Sequence, residues 1–302
     1  MAKTLYPSII LAFSFAAFSA TTSCTKSENN AADDTDDRPV LAVSVEPQRA
    51  WLENIVGDRF RIITMLPSGS NVETYEPTPE MRKSLADAKA YFMVGPLLLE
   101  GNLKMSAPDA TNFIDTSNGI EPIYGTHNHC TDHRSFLPSE DVRTPDPHYW
   151  SSVVNARIMT KNMTDQVIAI DPDNADEYRA NYERYDAYLD SLDTAYRNRL
   201  EKIPNKVFMV WHPSLSYFAR DYGLEQLAVG SESKEVSIQS MRHVIDHAIS
   251  DSVRVFFHQH DYDSNQAQSI NAAIGSHLVS INLGAYEWQD EFENIVDELT
   301  AQ

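Results

Sequence analysis

Three short segments, far apart in the chain, each set one strong metal-binding side chain beside turn chemistry. Glu73 lies in SGSNVETYEPTP, His148 in TPDPHYWSS and His212 in VWHPSLSYFARDYG. Two imidazoles and a carboxylate form a donor set for a borderline divalent metal. His148 and His212 each lie close to a Pro and an aromatic, Trp150 and Trp211 respectively. A ligating His gives its second ring N–H to a carboxylate or carbonyl, and Asp146 is a candidate for that role beside His148. Segments this distant must be closed into one site by the fold, between two lobes.

Other polar residues compete for attention. FFHQHDYD carries His258, Gln259 and His260. On a strand, the two histidines face one side and Gln259 the other, so they do not share one site. Gln259 and Asn282 both fall near strand C-terminal ends. His127, His129, Cys130 and His133 crowd into seven residues, which is either a loose accessory metal loop or a solvated polar loop. His243 and His247 have helical i, i+4 spacing but lack the Glu of an HExxH motif, and read as a helix face.

The elements that position these residues alternate. Val40–Pro47 and Phe60–Leu66 are β-branched runs, separated by a helical segment that stops at Gly57. Thr78, Pro79 and Glu80 open a helix, with Thr as cap and Pro at the first position. Ala90–Gly95 is a third strand. The second half repeats the pattern, with strands at Lys206–His212, in LEQLAVG, at Ser252–His260 and at His277–Gly284. Strand–helix alternation implies a mostly parallel α/β sheet, whose ligands sit at strand C-terminal ends. Between the halves, Tyr178, Tyr182, Tyr185, Leu189, Leu192, Tyr196 and Leu200 form one helical stripe, ended by Pro204. Tyrosines are poor coiled-coil seam residues, so the stripe is expected to pack against both lobes of a monomer.

The chain opens with Lys3 and an apolar run from Leu5 to Ala20, too short for a comfortable membrane span and of secretory-signal type. It runs into TTSC, where Cys24 resembles the acylated Cys of a bacterial lipobox, with Thr21 in place of the usual aliphatic residue. KSENNAADDTDDRP follows and cannot bury a core, so it reads as a tether. With Cys24 lipidated, Cys130 stands alone and no internal disulfide framework is possible. The net charge of −20 argues against nucleic-acid binding.

Taken in order, MLPSGSNVETYEPTP, TPDPHYW and WHPSLSYFARDYGL resemble three motifs of the substrate-binding proteins of metal-ion ABC transporters, the group that binds zinc or manganese. The resemblance runs from about Val40 to the C-terminus. It implies two Rossmann-like α/β lobes, each a mostly parallel sheet flanked by helices, joined by one long rigid helix, with the metal in the cleft. On that basis residues 1–23 are a lipoprotein signal, 24–38 a tether, 39–162 and 205–302 the lobes, and 163–204 the connecting helix. It makes Glu73, His148 and His212 the metal ligands, with Glu73 where the family carries a His. The acidic ligand that many members supply falls on Asn282, with Gln259 as its rival. The implied cargo is Zn2+, with Mn2+ and Fe2+ open. The implied partner is a permease in the cytoplasmic membrane, and the implied location is the periplasm or cell envelope, lipid-anchored. Two His and a Glu also make a catalytic zinc set, so a zinc hydrolase is an alternative, although no general base or nucleophile accompanies it. A surface adhesin is a further one.

Overall fold

The structure, a computed structural model, describes residues 36–124, 145–230, 238–260 and 264–301. Its folded unit runs from Asp37 to Gln302. The apolar N-terminal run, Cys24 and the segment holding His127, His129, Cys130 and His133 lie outside the described residues.

Two four-stranded, fully parallel sheets carry the unit. The first has the order β2-β1-β3-β4 and the second β6-β5-β7-β8. In the first, β1 is Val40–Val45, β2 Arg61–Leu66, β3 Ala90–Met93 and β4 Phe113–Asp115. In the second, β5 is Val207–Val210, β6 Glu225–Ala228, β7 Val255–Gln259 and β8 His277–Ile281. The central strands VLAVSV and VFFHQ are buried at every position, as strands covered on both faces must be. In each lobe the chain turns outward on one side of the first strand and then returns on the other. That leaves a crevice at the strand C-terminal ends between β1 and β3 and between β5 and β7.

The helices follow their sequence signals. Helix α1 (Glu46–Val56) has Pro47 in its first turn and ends at Gly57, whose φ of 59° suits glycine. Pro47 therefore opens this helix and does not close the strand before it. Thr78 caps α2 (Pro79–Ala86) by accepting from the Met81 amide, and Ser152 caps α4 (Val153–Ile170) by accepting from the Asn155 amide. Helix α3 (Leu98–Ser106) and the three-residue β4 have weak sequence signals. Helix α3 lacks a side-chain cap and contains Gly101. The second lobe adds α6 (Ser216–Tyr222), α7 (Ile238–Ser250), α8 (Ser264–Ile274) and α9 (Trp288–Thr300).

The Tyr/Leu stripe lies on α5 (Ala175–Leu200), 26 residues and about 40 Å long. The stretch 163–204 is thus not one helix: it joins the end of α4 to α5 across a break at Asp171–Asn174, where Pro172 starts a short 3-10 turn. Asn181 near the start of α5 donates to Ile55 O of α1, and Arg199 near its end reaches Glu293 and Asp297 of α9. One apolar core runs through both lobes, and Trp51 of α1 meets Trp288 of α9 edge-on with centroids 5.7 Å apart. A second cluster backs the β5–β8 sheet on the far side. Strand alternation sorts residues between them: Phe208, Val210 and Phe257 enter the shared core, while Met209, Trp211 and Phe256 enter the second cluster.

Candidate metal centre

That alternation aims the site residues. His212 continues the Phe208–Val210 face and points between the lobes. Gln259 follows Phe257 to the same side, and His258 follows Phe256 to the other, where its ring lies 6.1 Å from Trp211.

The DPH segment fixes His148. Asp146 Oδ1 accepts from the His148 backbone N (2.9 Å) and faces ring Nδ1 at 2.8 Å. Both side chains are buried. Burial opposes the Asp146 charge, but the His148 ring, its two hydrogen bonds and Ser216 outweigh burial and hold the carboxyl below its usual range. An ionised carboxylate only accepts, so Nδ1 of His148 carries a proton, and in the neutral ring the lone pair is then on Nε2. That Nε2 lies 3.3 Å from Nε2 of His212.

His212 sits just past β5. Gln259 clamps its backbone, since Oε1 accepts from His212 N (3.1 Å) and Nε2 donates to His212 O (2.7 Å) and Ser214 Oγ (2.6 Å). Burial, then the neighbouring His148 ring, pull the His212 pKa down to about 3, against the opposing pull of Asp146. The imidazole is neutral at physiological pH, the form that binds metal.

Glu73 comes from the loop after β2. Asn71 Oδ1 accepts from Glu73 N at 2.9 Å, and Asn71 O accepts from Tyr75 N at 3.0 Å, so the carboxylate is carried on a tight turn. Its Oε1 lies 3.8 Å from His212 Nε2. With metal–nitrogen bonds near 2.0–2.1 Å, two ligands of a tetrahedral zinc are ~3.3 Å apart. The His148–His212 edge already has that length, and the Glu73 edge is longer. Among the described residues, no three His, Cys, Asp or Glu side chains form a closed metal cage.

His148 and His212 open on a cavity of about 60 Å³ that Gln259 and Asn282 also line, with Trp150 and Leu283 among its apolar walls; from the Glu73 loop, Ser70 and Val72 line it and the Glu73 side chain does not. A space of this size takes an ion with a water or two and is far below the ~300 Å³ at which organic ligand pockets begin. The two amides at the cavity are both engaged within the protein. Gln259 makes the clamp just described. Asn282 Oδ1 accepts from Gly284 N (3.1 Å), and its Nδ2 donates to Ser68 Oγ (2.9 Å). Ser214 and Ser68, which carry these contacts, had no sequence signal beyond small polar residues in turns.

A family model described as zinc-uptake complex component A, periplasmic, matches residues 41–301. The chain belongs to this zinc-uptake component A family. It is 27 % identical over 261 residues to the high-affinity zinc uptake system protein ZnuA of Bacillus subtilis, covering 85 % of this chain and 82 % of the relative. It is 28 % identical over 183 residues to the manganese ABC transporter substrate-binding lipoprotein PsaA of Streptococcus pneumoniae, covering 57 % of this chain and 55 % of the relative. A crystal structure of a ZnuA deletion mutant with zinc bound superposes with a TM-score of 0.78 at 28 % identity, over 87 % of this chain and 97 % of that one. A manganese-bound periplasmic metal binding protein from Candidatus Liberibacter asiaticus, at 22 % identity and a TM-score of 0.73 over 87 % of this chain and all of that one (100 %), shares the fold. The zinc-uptake component A family consists of binding proteins of metal uptake, not enzymes, and the two-lobed α/β architecture expected from the sequence is the family's. Among the described residues no helix is long and apolar enough to cross a membrane.

Proposed function

We propose that the chain captures a divalent transition metal, zinc foremost, with Glu73, His148 and His212, and delivers it to an ABC permease in the cytoplasmic membrane. One observation carries the reading: two imidazole Nε2 atoms meet at 3.3 Å, the edge of a zinc tetrahedron, with the tautomer of one set by a buried carboxylate. Binding replaces any proton between the rings with the metal, and the Glu73 loop moves inward to shorten the 3.8 Å edge between Glu73 and His212. The zinc-uptake and manganese-binding relatives support this cargo class, and membership of a family of metal-uptake binding proteins argues against the hydrolase alternative. Glu73 keeps manganese as a second cargo, since carboxylates suit it better than imidazole does.

The same reading places the protein outside the cytoplasm as a monomer, lipid-anchored through Cys24 on the tether 24–38, with lobes over 39–162 and 205–302. His127, His129, Cys130 and His133 form an accessory loop that collects metal loosely. The test is elemental analysis of purified protein with competitive titration of zinc against manganese. One equivalent of zinc that outcompetes manganese is the expected result. A protein that binds neither stoichiometrically sinks the proposal.

A further inference from the structure

The lobes share one core through α5 and the Trp51–Trp288 contact, and packed cores do not deform continuously. Metal entering or leaving the cleft therefore depends on the loops at its rim. One rim is the loop after β2, which lines the cavity with Pro67, Gly69 and Ser70 and carries Glu73 further along. The opposite rim is the turn after β8, Asn282 to Gly284. A side-chain hydrogen bond joins them: Asn282 Nδ2 to Ser68 Oγ, 2.9 Å, between residues on different lobes. The Asn282 amide is itself held from behind. Its Oδ1 accepts from Gly284 N, and the Asn282 backbone N donates to Glu291 Oε2 of α9 at 2.9 Å. The donor thus stands on a braced turn, and the acceptor on the loop that brings Glu73.

We infer that Asn282 is a latch and not a ligand: it ties the Glu73 loop to the C-terminal lobe and slows escape of the metal. The inference rests on the cleft being the metal site, as proposed above. To coordinate metal, Oδ1 would have to leave Gly284 and turn into the cavity, and the Ser68 contact would be lost with it. The two roles therefore predict different variants.

The experiment uses zinc alone, on Asn282→Ala, Ser68→Ala, the double variant and Ser68→Thr. A chelator chase should show zinc leaving roughly two- to tenfold faster from either Ala variant, the range set by one net hydrogen bond. The double variant should be no faster than the singles. Ser68→Thr, which keeps the hydroxyl, should restore the wild-type rate, and one equivalent of zinc should bind throughout. Loss of stoichiometric binding in Asn282→Ala would make the residue a ligand and overturn the latch, as would wild-type release from both Ala variants. Hydrogen exchange in metal-free protein separates this from the cargo reading. Amides of residues 68–73 should exchange faster in both Ala variants whether or not zinc binds, and unchanged exchange also overturns the latch.

Discussion

Asp146 grips His148 twice with one oxygen, at the backbone N (2.9 Å) and at ring Nδ1 (2.8 Å). The grip fixes both where the imidazole stands and which nitrogen faces the cleft. Asp146→Asn keeps the shape but removes the charge that selects the tautomer. It should weaken zinc binding by about 10- to 100-fold, the usual cost of losing such a carboxylate. Chelator competition would read this directly. An unchanged affinity would mean that the His148 tautomer does not depend on Asp146.

Two buried groups contribute to the pH dependence of the metal-free protein with opposite signs. His212 has its pKa lowered to about 3 by burial and the His148 ring. The unfolded chain takes up that proton near pH 6.5, so stability from this group is full above about 6.5 and is lost as pH falls toward 3. Glu100 is fully buried; burial raises its pKa to about 7, against hydrogen bonds from Ser44 Oγ and from Val94 and Gly95 N. There the folded state holds the extra proton, so stability from this group is full below about 4.5 and is lost as pH rises toward 7. Each slope is about 1.4 kcal/mol per pH unit, and they cancel between about pH 4.5 and 6.5. Thermal unfolding of the metal-free wild type should be flat across that window and fall below it. Glu100→Gln should expose a decline on acidification from pH 6.5. His212→Gln should show the reverse trend. Parallel curves for all three proteins would refute this assignment.

Neighbours on β7 should separate by face. Gln259→Ala removes the clamp on the His212 backbone and leaves His212 N and O without that partner, which costs about 1–3 kcal/mol of stability where such groups stay dry. Zinc affinity should fall with it, because His212 loses its register. His258→Ala, behind the sheet against Trp211, should lower the unfolding temperature through lost packing but leave zinc stoichiometry and affinity unchanged. Calorimetric titration of both variants decides. Equal losses of affinity would mean that the strand does not keep its two faces apart.

Much of this arrangement was legible in the chain. Apolar runs such as VLAVSV and FFHQ carry enough burial to mark strands without tertiary context, and Gly57 and Thr78 mark the helix ends chemically. The loops that carry Glu73 and His212 could be placed because parallel sheets present strand C-termini at one edge. Short elements were not legible: β4 has three residues, and α3 starts without a polar cap. Pro47 was misleading because the same residue ends strands and starts helices, and only the fold decides which. The engagements of Gln259 and Asn282 were also hidden. An amide reads as a possible ligand until its hydrogen-bond partners are known, and those partners, Ser214 and Ser68, are common turn residues.

In the proposed site, Glu73 is the ligand expected to set the choice of metal. Its Oε1 stands 3.8 Å from His212 Nε2, against an ideal edge of ~3.3 Å, so coordination as proposed requires the metal to draw the loop in. A carboxylate there is tolerant of larger, oxygen-preferring ions, whereas a third imidazole would favour zinc. Glu73→His should therefore raise the zinc-to-manganese affinity ratio by about tenfold, equivalent to ~1.4 kcal/mol of discrimination. Glu73→Ala should weaken both metals and move the ratio less. Competition titrations on the two variants measure the ratio directly. If both keep the wild-type ratio and affinity, Glu73 does not touch the metal, and His148 and His212 must find their third partner in water.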